Sequence, residues 1–194
     1  MNNQPATYFD LQPANLKNEL IELRPLQSND FENLYEVASD PLIWEQHPIK
    51  NRYQRKAFET FFSDAIASGG AFLISDARTG QSIGSTRFYD YDKNKGHVAI
   101  GYTFLSRDHW GTLYNRALKV LMLDYAFNFV DTVIFHIGSE NIRSQKAILK
   151  LGAKKRNEIE EKFLEGQKVI HYIYEITKEE WKKLRESKKL VASG

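Results

Sequence analysis

Cysteine is absent from this chain. Its absence excludes disulfides, thiolate metal sites and a cysteine nucleophile. Long apolar runs are missing too: none approaches the roughly 20 residues needed to cross a bilayer, so no membrane association is expected. The start, Met1-Asn2-Asn3-Gln4-Pro5, is polar and lacks the apolar core of a signal peptide, and a soluble cytoplasmic protein is expected. Charge of one sign is not in large excess, because 27 Lys and Arg face 25 Asp and Glu for a net +2. That balance argues against a protein whose main task is gripping nucleic acid. The basic cluster of Lys182, Lys183, Arg185, Lys188 and Lys189 reads as a solvated helix face. His97, His109, His136 and His171 have no ligand spacing, and no metal site is expected. What the chain does have is 42% hydrophobic and 13% aromatic residues over 194 positions, enough for one well-cored domain.

Residues 1–18 read as an N-terminal arm with Pro5 and Pro13, residues 19–182 as the domain, and residues 183–194 as a C-terminal tail. A short strand at Leu20–Arg24 stops at Pro25. Phe31, Leu34, Tyr35 and Ala38 then recur at helical spacing after the cap-type run Ser28-Asn29-Asp30. Trp44-Glu45-Gln46-His47-Pro48 is a loop rich in aromatic and polar groups. Ala57, Phe58, Phe61, Phe62 and Ile66 mark a second amphipathic helix over Arg55–Ala67, which Gly69-Gly70 stops. Strands are expected at Ala71–Asp76, Ser82–Tyr91, His97–Leu105 and Thr132–Gly138. A helix over Asn141–Leu151 ends at Gly152, and a strand pair, Lys155–Leu164 and Val169–Thr177, closes across Glu165-Gly166. Thr177 with Glu180 is a capping-box pattern opening a last helix. The whole is one mixed α/β domain.

The most informative stretch joins the third of these strands to the central helix. Ala117, Leu118, Leu121, Met122, Tyr125 and Ala126 define that helix, and Trp110-Gly111-Thr112-Leu113-Tyr114-Asn115 is the loop entering it. A helix start presents unpaired N–H groups and a partial positive charge, a ready seat for a phosphate or pyrophosphate.

Trp110-Gly111-Thr112 with Asn115 and Lys119, then Asn141-Ile142-Arg143-Ser144, resembles the GCN5-related N-acetyltransferase (GNAT) superfamily. Within it, the chain is similar to the branch containing the ribosomal-protein N-terminal acetyltransferases. Leu23-Arg24-Pro25-Leu26, Ile83-Gly84, Ile100-Gly101-Tyr102, Leu151-Gly152 and Tyr174 ahead of Glu180-Trp181 occur in the family order, from about Ile21 to Trp181. The resemblance implies a mixed central sheet with two splayed strands, flanking helices, and acetyl-coenzyme A as co-substrate. It implies cofactor contacts from Phe104, Leu105, Trp110, Gly111, Thr112, Leu113, Tyr114, Asn115, Asn141 and Ser144, with the pyrophosphate on the N–H groups of residues 110 to 115. It implies an acceptor wall near Trp44 and His47; Arg87, Tyr89 and Tyr102, which alternate on neighbouring strands, are expected to line the cleft floor. The activity implied is direct transfer of an acetyl group to a primary amine, on a protein N-terminus or a small molecule; homodimerisation is left open.

The chain also departs from the family pattern. The frame of the pyrophosphate loop has Asp108 where the family has Gln or Arg, and Leu113 where it has a small residue. Ala99 stands where relatives often carry a glutamate, and Ile148 where many place a tyrosine acid. An amine must lose its proton before it attacks a thioester, at about 10.4 for a lysine-like amine and about 8 for an α-amine. Glu45, His47, Asp90, Glu161 or a water chain are the replacements for the missing base, with Glu161 carried as the catalytic candidate. Ser144 is the candidate for protonating the leaving thiolate, and a backbone N–H between Tyr102 and Leu105 for holding the oxyanion. The departures also define the alternative: a coenzyme-A-binding regulatory or interaction module without catalysis.

Overall fold

The computed structural model describes residues 8–14, 16–164 and 167–192. The turn expected at Glu165-Gly166 lies outside the described residues. The elements are β1 (Leu16–Lys17), β2 (Ile21–Pro25), α1 (Phe31–Ala38), α2 (Arg55–Ala67), β3 (Ala71–Asp76), β4 (Ser82–Asp92) and β5 (His97–Leu105), then α3 (Tyr114–Ala126), β6 (Thr132–Gly138), α4 (Ile142–Leu151), β7 (Lys154–Leu164), β8 (Gln167–Thr177) and α5 (Lys178–Ala192). The strands form one eight-stranded sheet in the order β1-β2-β3-β4-β5-β6-β8-β7. Every neighbouring pair is antiparallel except β5 and β6.

A core lies on each face of the sheet, as a half-apolar sheet requires. On one face Leu34, Phe58, Phe61 and Phe62 of α1 and α2 pack on Leu73 and Phe104. On the other, Leu118 and Met122 of α3, Ile148 of α4 and Trp181 of α5 pack on Phe88, Ile100, Val133 and Tyr174. The capping box forms as expected: Thr177 N–H donates to Glu180 Oε2 at 3.0 Å, and Glu180 N–H donates to Thr177 Oγ1 at 3.3 Å. Trp181 Nε1 then ties α5 to α3 through Asp124 at 2.7 Å. Gly152 ends α4 with φ of 108°, and a side chain there would collide with Leu184.

The arm reading needs one change. Phe9 is buried in an aromatic group with Phe88, Tyr91, Tyr125 and Phe129, and Tyr125 Oη donates to Asp10 O at 2.8 Å. Residues 16 and 17 add a strand to β2. Two adjacent aromatics, Tyr8 and Phe9, in a polar stretch have no periodicity to announce which of them is buried. The described part of the arm is therefore part of the domain.

Candidate active site

β5 and β6 pair at only three positions, His97 with Thr132, Val98 with Val133 and Ala99 with Ile134. Beyond Ala99 they part. The cause is local: between the pairs Ser85–Phe104 and Arg87–Gly101, two residues of β5, Tyr102 and Thr103, oppose one of β4, Thr86. Tyr102 has a left-handed φ of 51° there. Such a bulge bends its strand away from its neighbour. The gap is a cleft of about 150 Å³ whose walls are Ile100 to Thr103 of β5 and Phe135 to Gly138 of β6. Asn115 and Lys119 of α3 reach it from below, and Asn141, which caps α4, reaches it with Ser144 and Ile148 of α4 from beyond β6.

At one end of the cleft, the chain enters α3. Gly111 has φ of 70°, a conformation that favours glycine. Thr112 Oγ1 donates to His109 O at 2.6 Å and receives the Tyr114 N–H at 3.3 Å, which fixes the turn. The first intrahelical bond runs from Ala117 N–H to Leu113 O. Among the described residues, the N–H groups of Gly111, Thr112, Leu113, Asn115 and Arg116 have no protein acceptor. These donors on one short arc make an anion nest. The side chain of Leu113 is 66% exposed, so this large residue leaves the nest open.

The loop is held from outside the cleft. Tyr114 is buried, and its hydroxyl donates to Asp76 Oδ2 at 2.5 Å and receives Arg78 at 3.0 Å. The Tyr114 hydroxyl, with the Arg78 and Thr79 N–H groups, holds the Asp76 carboxyl down to about 2. Trp110 Nε1 donates to Leu105 O at 3.0 Å, and the Arg143 guanidinium stacks over the Trp110 ring at 3.7 Å. Arg143 also pairs with Glu45 at 3.2 Å, and its N–H donates to Gln46 Oε1. It thus joins α4, the α3 entrance and the 41–46 segment.

Across the sheet the chemistry is carried by side chains. Tyr89 Oη and His136 Nδ1 are 2.9 Å apart, and Nε2 of His136 has no partner among the described residues. Burial pushes His136 below the ordinary imidazole range and the Tyr89 phenol above its own. The strand registers put Tyr89, Ala99, His136 and His171 on one face of the sheet. His47 is held down to about 3, by burial and then by Arg52, whose guanidinium sits 3.0 Å from Nε2. Arg87 is buried, with its guanidinium over the Tyr102 ring at 4.1 Å.

The cleft therefore brings together Asn115, Asn141, Ser144, His47 and Tyr102, with Trp44 at its edge. Other candidates are placed differently. Phe104 and Leu105 point into the two cores, leaving only their main chain for a ligand. Tyr114 is committed to Asp76 and Arg78. Trp44 is mostly a core residue, its indole N–H donating to Ala38 O at 2.7 Å. Arg87 and Tyr89 lie behind Tyr102 and His136. Glu161 faces away: its neighbour Glu160 is registered with His171 on the face that carries Tyr89 and His136, alternation puts Glu161 on the other, and it pairs with Lys168 at 2.8 Å. Glu161 is corrected from catalytic candidate to surface ion pair. Of the other bases considered, Glu45 is engaged by Arg143 and Asp90 is exposed at the end of β4.

Two residues were missed as site residues. His136 has no sequence signal, because Tyr89 lies on another strand. Lys119 had one: it follows Asn115 by four positions, one helical turn. Its Nζ donates to Thr103 Oγ1 at 2.7 Å, it is only 5% exposed, and burial pulls it down to about 7.

A parallel strand pair that parts over a helix start defines an acyl-transferase architecture, and the comparisons place it. The model of the GNAT acetyltransferase domain matches residues 21–154. The chain belongs to that family. Among solved structures it is similar to a GCN5-related N-acetyltransferase from Brucella melitensis at 17% identity, with a TM-score of 0.78 over 90% of this chain and 83% of that one. A spermidine N-acetyltransferase from Vibrio cholerae, solved with CoA and spermine, matches at 18% identity with a TM-score of 0.64 over 84% of this chain and 99% of that one. A Vibrio cholerae protein assigned as a ribosomal-protein-serine acetyltransferase matches at 13% identity and a TM-score of 0.69, over 86% of this chain and 99% of that one. These identities speak to the fold alone. No curated protein matches by sequence. Among the described residues no helix is long and apolar enough to cross a membrane, and no cluster of His, Asp and Glu could hold a metal ion.

Proposed function

We propose that this protein is an acetyl-CoA-dependent N-acetyltransferase acting in the cytoplasm on a primary amine, a protein N-terminus as in the ribosomal-protein branch or a small amine. The observation that carries the reading is the meeting, at one end of one cleft, of parted parallel strands and backbone donors without acceptors. A pyrophosphate with an extended arm fits that pairing: the N–H groups of Gly111 to Arg116 take the anion, and the arm follows the gap past Asn141 and Ser144. Because the donors are backbone groups, Asp108 and Leu113 do not remove them. Acetyl-CoA supplies the acetyl group already activated as a thioester.

The chain's own residues supply the rest. Main-chain N–H groups of β5 beyond Ala99 no longer pair with β6 and are available to an oxyanion. Ser144 Oγ has no partner among the described residues and sits in the cleft as a proton donor. His136 takes the place of the carboxylate missing at Ala99. With its proton on Nδ1, it donates to Tyr89 Oη and keeps the Nε2 lone pair for the acceptor's proton. Its lowered pKa keeps it neutral at pH 7, the state a base requires.

The test is calorimetric titration of acetyl-CoA into the unmodified protein and a Gly111→Trp variant, with thiol release measured on N-terminal peptides and on polyamines. Binding lost in the variant, with thiol release on one acceptor class, supports the reading. No binding by the unmodified protein removes it. The buried apolar Ala99 and Ile148 favour a second reading, a coenzyme-A-binding module without catalysis, which predicts binding and no thiol release on any amine.

A further inference from the structure

Lys119 has no part in the chemistry above, yet it is the most unusual side chain in the cleft. A buried lysine normally meets a carboxylate. Among the described residues Lys119 has none: its Nζ holds one acceptor, Thr103 Oγ1, which is itself shared with Thr86 Oγ1 at 2.8 Å. It opens onto the same cleft as Asn115 and Ser144. With no carboxylate among the described residues to stabilise the ammonium and burial opposing it, a large share of Nζ is neutral amine near pH 7. A neutral primary amine is the group on which this cleft would act.

We propose that Lys119 is a self-acetylation site, modified by the acetyl thioester bound in its own cleft. The proposal rests on the acetyl-CoA reading. In the step, the Nζ lone pair attacks the acetyl carbonyl carbon, a C–N bond forms and the C–S bond breaks. One amine proton leaves with the sulfur, so the products are an Nε-acetyl amide and free coenzyme A thiol. The amide is uncharged, keeps one N–H for Thr103 and fills space that the arm needs. The modification therefore limits the enzyme's own activity when acetyl-CoA accumulates and acceptor is scarce.

The experiment incubates the full chain with acetyl-CoA without acceptor and follows it by intact mass and peptide mapping, with calorimetric binding in parallel. The expected result is a first acetyl group on Lys119, at least about tenfold faster than on the exposed Lys50 and Lys56, because Lys119 lines the cleft that would hold the thioester and they do not. That preference should vanish when the chain is unfolded in urea, and Lys119→Arg should remove the first acetyl. The mapping uses the unmodified chain, so the result stands even if the variant fails to fold. Binding without preference for Lys119 overturns the proposal and leaves the acetyl-CoA reading intact. Absence of binding overturns that reading and the modification with it. Coenzyme A should bind the acetylated protein about tenfold more weakly; unchanged affinity overturns the self-limiting role.

Discussion

The two sides of the cleft are made differently. The proposed donor end is main chain: a left-handed Gly111, a run of N–H groups with no acceptor among the described residues, and a loop pinned from behind by Tyr114, Asp76 and Trp110. The acceptor face is side chains that engage one another: Tyr89 with His136, His47 with Arg52, Arg87 with Tyr102. A site of backbone donors survives changes of side chain, which is why Asp108 and Leu113 leave it open. A site of interlocked side chains can lose the family's glutamate at Ala99 only if another group stands in the right place. Change at the donor end should therefore register as affinity, and change at the acceptor face as rate.

The largest effect should come from the acceptor face. His136→Gln keeps a polar side chain but removes the proposed base, and should lower kcat by about 10²- to 10⁴-fold with acetyl-CoA affinity unchanged. Steady-state kinetics beside calorimetry separates the two, and a fall in affinity instead would merge the two sides. Next is Gly111→Val, which forces a β-branched residue into a left-handed conformation costing roughly 1–2 kcal/mol. It should weaken acetyl-CoA binding by about tenfold and leave kcat at saturation unchanged. Third is the acid behaviour of the loop's anchor. Asp76 has a folded-state pKa of about 2 against an ordinary 3.8, so its stabilisation is complete above pH 4 and is lost as pH falls towards 2. Tyr114→Phe removes the largest cause of that lowering and should raise the acid-unfolding midpoint, followed by circular dichroism. The smallest effect belongs to Glu161→Gln, which should leave kcat and KM unmoved; a rate loss there would return Glu161 to the site.

The same division explains what could be read from the sequence. α2, β3, β5 and β6 were placed residue for residue, since the hydrophobic pattern runs their length and a glycine lies at or near one end of each, Gly69, Gly70, Gly96 and Gly138. The donor end was legible because a strand, a glycine and a helix start are local features. That Asn141 and Ser144 line one cleft was legible because they lie one helical turn apart. The acceptor face was not. Tyr89 and His136 meet only through the sheet order, and Glu161 looked catalytic until alternation along β7 turned it outward. Phe9 belonged to the same class, a single residue whose partners are all distant.

The parted strands have a consequence for solubility. A break inside a sheet creates two additional edges, each with unpaired main-chain groups that another chain's strand could recognise. The outer edges are guarded by familiar means: β1 is two residues long, and β7 carries Lys154, Lys155, Arg156, Glu158 and Lys162. The inner edges carry no such charge. Their protection is enclosure: the two edges face each other across a cleft of about 150 Å³ that α3 and α4 also line.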